Sequence, residues 1–154
     1  MRDDEDDRHW VAEAVRASEA AVRSRALPFA GLVVRDGRLL GSGINEVRAL
    51  CDPSAHAEVQ AIRSACRHLR ASTLDGAVLY ASGEPCAMCL VTASFAGIAR
   101  VVYAADAETA ARYGFAYGAA RRLLSPCEEW SMPIEQIDVP GSARPFEVWQ
   151  AGHR

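Results

Sequence analysis

The stretch GAVLYASGEPCAMCLVTASFAGIARVVYA, Gly76 to Ala104, sets the architecture. Val78, Leu79 and Tyr80 lie in a short apolar run of strand type, Gly76 to Ser82, and Gly83-Glu84-Pro85 breaks it. Pro85 suits the entry to a helix, because its missing N–H would be unpaired in a first turn anyway. Cys86 to about Ala96 then reads as a core helix, and Ala99 to Ala104 as a second buried strand. Strand, helix and strand in this succession predict a parallel crossover unit.

Upstream, Trp10, Val11, Ala14, Val15, Ser18, Ala21 and Val22 recur at three- and four-residue steps, an amphipathic helix that Leu27-Pro28 ends. Phe29 to Arg35 and Arg38 to Ile44 flank Asp36-Gly37, a two-residue hairpin signal. Asn45 to Pro53 is turn-rich, and Ser54 is a candidate N-cap for a helix carrying Ala57, Val59, Ala61, Ile62, Ala65, Cys66 and Leu69. Downstream come helical stretches at about 107–113 and 117–124, an extended segment at 134–139 and a last short helix around 145–151. A hairpin followed by helices alternating with single strands predicts one layered α/β domain over residues 1–154, with a mixed sheet. The acidic run at 3–7 is expected as a solvated N-terminal tail over residues 1–7, or as a charged first helical turn.

The chain has 154 residues, 50% of them apolar and 24% charged, which is the composition of a globular protein that buries one core. The most apolar stretch, Cys86 to Ala99, is shorter than the roughly twenty residues that span a bilayer, so no membrane helix is expected. The opening MRDDEDDR is unlike a secretory signal and predicts a cytoplasmic protein. Every one of the 17 basic residues is arginine, and the net charge is −3. The arginines are scattered apart from Arg121-Arg122, which opposes a nucleic-acid partner. Five cysteines in such a chain favour metal or catalytic use over disulfides.

Two helix starts carry the chemistry: His56-Ala57-Glu58 and Pro85-Cys86-Ala87-Met88-Cys89. Cys86 and Cys89 lie one turn apart on one face, a spacing that lets both sulfurs bind one tetrahedral ion. With His56 they make one nitrogen and two thiolate ligands, and the fourth zinc position is left for water, the mark of a catalytic site. Glu58 is placed to shuttle protons. The expected reaction is attack of zinc-bound hydroxide on the amine-bearing carbon of a heterocycle, with Glu58 moving the proton to the leaving amine and ammonia released. A structural zinc site would want a fourth protein ligand, and Cys51, Cys66, Cys127, His9, His68 and His153 offer no suggestive spacing. The joint HxE and PCxxC pattern is the zinc deaminase signature.

On these motifs the chain resembles the cytidine deaminase superfamily, and within it the guanine deaminase type of free-nucleobase enzyme. The likeness runs through PFAGLVVRDGRLLGSGIN, DPSAHAEVQAIRSAC, LYASGEPCAMCL, VVYAAD, AARYGF and PFEVW. It implies a three-layer α/β/α sandwich on a five-stranded mixed sheet, one zinc per chain, and a homodimer, with residues 141–154 as the segment that protomers could exchange. It also implies a small heterocyclic amine as substrate: guanine, or isocytosine, cytosine or an aminotriazine. Carried over by position, Asn45 would hold the substrate ring through its amide, Ala55 through its backbone, and Phe29 and Phe95 would line or stack on it. Trp149 is a candidate to close the pocket or to anchor the C-terminus. Where guanine deaminases carry an acidic pair after GF, this chain has Ala116-Tyr117-Gly118. Asp106, Glu108, Glu128 and Glu129 are candidate replacements, and Gly83 is smaller than the family residue there. The competing readings are a tRNA adenosine deaminase, a nucleoside deaminase and a structural zinc domain.

Overall fold

A computed structural model of the chain describes residues 4–123 and 131–153. Its elements are α1 (Asp4–Arg23), β1 (Ala30–Arg35), β2 (Arg38–Ile44), α2 (Val47–Leu50), α3 (Ala57–Leu69), β3 (Val78–Gly83), α4 (Ala87–Phe95), β4 (Arg100–Ala105), α5 (Ala107–Arg112), a 3-10 turn (Gly118–Leu123), β5 (Ile134–Gln136) and α6 (Arg144–Ala151). The five strands form one sheet in the order β2-β1-β3-β4-β5. β1 is antiparallel to both β2 and β3, whereas β3, β4 and β5 run parallel. Asp36 and Gly37 both take positive φ, +52° and +69°, as the tight hairpin between β1 and β2 requires.

Alternation along the strands builds the layers. Leu32 and Val34 of β1, Tyr80 of β3, and Val102 and Ala104 of β4 meet Val11, Ala14 and Val15 of α1 on one face. Val33, Leu79 and Val101 point the other way, onto Ala61, Ile62 and Ala65 of α3 and Leu90 and Ala93 of α4. The result is the expected three-layer α/β/α sandwich on a five-stranded mixed sheet.

Local details depart from the sequence reading. Asp4 to Asp7 form the first turn of α1, so this part of the acidic run is helical, where negative charge complements the macrodipole. Asp7 is buried, because its carboxylate accepts from the Tyr80 hydroxyl at 2.5 Å and from both terminal nitrogens of Arg100 at 2.6 and 2.9 Å. His56, not Ser54, is the N-cap of α3, since the helix begins at Ala57, and the Ser54 hydroxyl donates to Asp52 Oδ1. The turn-rich 45–53 region contains the single-turn α2, and the last strand is only three residues long. α6 packs on α1 of its own chain, with Arg144 of α6 at 3.6 Å from Glu19 of α1. No described helix is long and apolar enough to cross a membrane.

Candidate metal and catalytic site

The carboxyl end of β3 and the N-termini of α3 and α4 converge on one cavity, and the side chains at those three places make its polar floor. Cys86 is the N-cap of α4 with an extended backbone, φ −72° and ψ 171°, which turns its side chain off the helix. His56 occupies the same position on α3. Neither side chain caps its own helix, so both are available for other work.

His56 Nδ1 lies 3.5 Å from Cys86 Sγ and 3.6 Å from Cys89 Sγ, and the two sulfurs are 3.5 Å apart. Tetrahedral zinc at its usual bond lengths calls for about 3.6 Å between nitrogen and sulfur and about 3.8 Å between sulfurs. The donor set therefore fits zinc, and two soft thiolates with one imidazole select it over harder cations. Among the described residues these three form the one cluster of metal-ligating side chains. The hydrogen bond shared with Cys89, reinforced by His56, pulls the Cys86 thiol down to about 4, whereas that shared bond and burial push Cys89 up. The same contact with Cys86 raises His56. A bound divalent cation would displace the protons of both thiols.

Glu58 is buried at 4% exposure, with Oε2 accepting from Cys89 Sγ at 3.3 Å. Burial pushes its carboxyl up to about 7, against the lowering effect of its backbone and Cys89 hydrogen bonds. A carboxyl poised near neutrality can take up and give back a proton.

The cavity, about 200 Å3, is lined on its polar side by Asn45, His56, Glu58, Glu84 and Cys86. Leu27, Phe29, Phe115 and Tyr117 make its apolar side. Its size lies below the roughly 300–1,000 Å3 of pockets for drug-sized ligands and suits a small ring. Phe29 is the hub of the aromatic wall, meeting Phe115, Tyr117 and Phe146 edge-on at 5.4, 5.8 and 5.5 Å. The Asn45 side-chain carbonyl accepts from Val47 N–H at 3.2 Å, which orients the amide and leaves its NH2 as the group for a ligand.

Two of the expected substrate residues fall outside this wall. Phe95 ends α4 at 84% exposure and does not line the cavity of its own chain, because the helix carries it a turn and a half beyond Cys89. Ala55 is fully buried behind Ala57, and its backbone is already engaged, donating to Asp52 O and accepting from Glu46 N. Trp149 packs on Phe115 from outside, between Arg48 and the stacked His153 ring, as an anchor of α6. Of the candidate acids, Asp106 caps α5 and Glu108 pairs with Arg112. Glu128 and Glu129 lie outside the described residues. Sequence reasoning took Glu84 only as part of a strand break, yet it lines the cavity and accepts from Ala107 N–H at 2.8 Å, joining β3 to the start of α5. Its place directly before Pro85-Cys86 was the available signal.

Residues 4–105 match the family model described as the cytidine and deoxycytidylate deaminase zinc-binding region. Guanine deaminase of Bacillus subtilis (strain 168) is 40% identical over 124 residues, 80% of this chain and 80% of that protein. A tRNA-specific adenosine deaminase of Aquifex aeolicus (strain VF5) is 34% identical over 97 residues, 63% of this chain and 64% of that one. The crystal structure of guanine deaminase from Bacillus subtilis superposes with a TM-score of 0.73 at 36% identity, over 97% of this chain and 95% of the other. With the metal-ligand geometry and the sandwich already in place, these matches lead to one conclusion: the chain belongs to the cytidine and deoxycytidylate deaminase zinc-binding family, and within it resembles guanine deaminase.

Proposed function

We propose that this hydrolytic deaminase acts on a free amino-substituted nucleobase or a related heterocycle, guanine, isocytosine, cytosine or an aminotriazine, and releases ammonia. The observation that carries the reading is the buried Glu58 carboxyl 3.3 Å from Cys89 Sγ, on the same small cavity as the His56, Cys86 and Cys89 donor set. Held by His56, Cys86 and Cys89, one zinc per chain supplies Lewis acidity that makes water a nucleophile near neutral pH. Glu58 would take one proton from the attacking water and deliver it to the ring nitrogen, then take the remaining hydroxyl proton and pass it to the amine, which departs as ammonia as the carbon exchanges its C–N bond for C=O. Asn45 offers its amide N–H to the ring edge, and Phe29 with Phe115 excludes water from the flat substrate.

The likeness to guanine deaminase over most of both chains favours a free base over the tRNA reading, whose relative matches less of each chain. The unit of function is proposed as a homodimer, which the exposure of Phe95 on a single chain supports and which sedimentation at several concentrations tests. Zinc-loaded protein should release ammonia from at least one of guanine, isocytosine, cytosine and an aminotriazine. Glu58→Gln should retain zinc and lose roughly 10²- to 10⁴-fold of that rate. Silence on all the free bases, with turnover of guanosine, cytidine or tRNA instead, overturns the free-base reading.

A further inference from the structure

Tyr117 reaches the cavity wall from the segment between α5 and the 3-10 turn. Its ring packs on Phe29, 5.8 Å between centroids, and its hydroxyl oxygen is buried with no hydrogen-bond partner among the described residues. A methyl group added at Gly83 would stand 3.1 Å from the Phe29 ring and 3.6 Å from the Tyr117 oxygen. A side chain at Gly83 would therefore press on the Phe29 ring against which the phenol packs. Burying a hydroxyl unpaired is unfavourable, and a folded chain retains such a group where a ligand completes it.

The character of the missing partner follows from the neighbours. The polar floor carries the carboxyl acceptors of Glu58 and Glu84, with the Asn45 NH2 as a donor at its edge, and a substrate N–H finds a partner among the carboxyl groups. A phenol in that surrounding contributes the opposite, a proton to donate. Burial, and then the negative charges of Glu58, Glu84 and Cys86, hold its ionisation far above the ordinary tyrosine range, so the proton stays in place. The acceptor on an amino-heterocycle that answers such a donor in a tight cavity is a ring carbonyl.

We propose that the Tyr117 hydroxyl is the specificity-determining donor of this cavity, selecting amino-heterocycles that also carry a ring carbonyl. The inference rests on the free-base reading above and names its substrate class. The donor acts on binding, not on proton transfer, so it separates substrates that share the amine and differ in the carbonyl.

Two matched pairs test it: guanine against 2-aminopurine, and isocytosine against 2-aminopyrimidine, with kcat/KM measured on zinc-loaded wild type and Tyr117→Phe. Wild type should prefer the carbonyl member of at least one pair by about ten- to a hundred-fold, the worth of one buried hydrogen bond to substrate. Tyr117→Phe should lose most of that preference, through KM more than kcat, with the larger loss on the carbonyl member of the pair. Because the hydroxyl has no partner among the described residues of the free protein, the variant should melt at the same temperature as wild type or higher. An unchanged preference in Tyr117→Phe, or a lowered melting temperature showing the hydroxyl bonded within the free chain, overturns the proposal while leaving deamination intact. Absence of turnover on all four bases and on cytosine instead removes the free-base reading, and this inference with it.

Discussion

His56 and Cys86 stand at helix N-caps without capping, while Asp106, at the equivalent place on α5, does cap. The difference is one of chemistry. Asp106 Oδ1 accepts from Thr109 N–H at 2.7 Å, and the Thr109 hydrogen bonds hold its carboxyl below the ordinary 3.8. A folded-state pKa below the unfolded one means that the cap's stabilisation is fully present above about pH 4 and is lost as the pH falls through the folded value. Asp106→Ala should therefore lower stability by about 1 kcal/mol at neutral pH. The deficit should shrink toward zero in acid, as urea unfolding at pH 7 and pH 3 would read; an equal deficit at both values would contradict the account. At this scale the metal ligands and Glu58 were legible in the sequence, because local spacing on a helix turn carries the chemistry. Tyr117 was not legible as a wall residue, since nothing in AYG says which way its side chain faces across the fold, whereas Glu84 had its place before Pro85-Cys86 as a signal.

Helix α3 delivers both His56 and Glu58, and its position depends on two glycines of the neighbouring strand. A Cβ at Gly43 would fall inside van der Waals contact of the Ala57 carbonyl and the Ala61 nitrogen, and one at Gly41 would collide with the Ala65 backbone. The α3 backbone thus lies directly on β2, with Ala57, Ala61 and Ala65 as the small residues at the contact. Gly43→Ala should cost about 3 kcal/mol, since backbone on backbone cannot relax by a rotamer change. It should also weaken zinc binding, because α3 must lift at the end that carries His56. Calorimetry with a competitive chelator titration checks both; a variant with unchanged zinc affinity would show that α3 pivots elsewhere. What the two glycines serve is visible only where the helix crosses them. The hairpin, α4 and the parallel β3 and β4 pair were legible, because turn chemistry and apolar periodicity are local signals. Ser54 as the cap of α3 was a misreading: the helix begins at Ala57, which puts His56 at the cap and Ser54 two residues before it.

Across the whole molecule, the acidic N-terminus is tied to the sheet. Asp7, 93 residues from Arg100 in sequence, joins α1 to β4 through the guanidinium and to β3 through Tyr80. Asp7→Ala leaves both partners without that carboxylate at a buried site, and should lower the unfolding free energy by about 3 kcal/mol. Urea denaturation measures this, and a loss below about 0.5 kcal/mol would mark the contact as no more than a surface ion pair. The sequence by itself determined the α/β class, through strand periodicity, and picked out His56, Glu58, Cys86 and Cys89 as candidates, through the local HxE and PCxxC spacings at two helix starts. Only the tertiary structure decided that Phe29, Phe115 and Tyr117 share one wall, and that Phe95 and Ala55 lie off it. It alone buried Asp7 and left the Tyr117 hydroxyl buried without a partner among the described residues. Those outcomes turn on side chains far apart in the chain meeting across the sandwich, and no local pattern encodes such meetings.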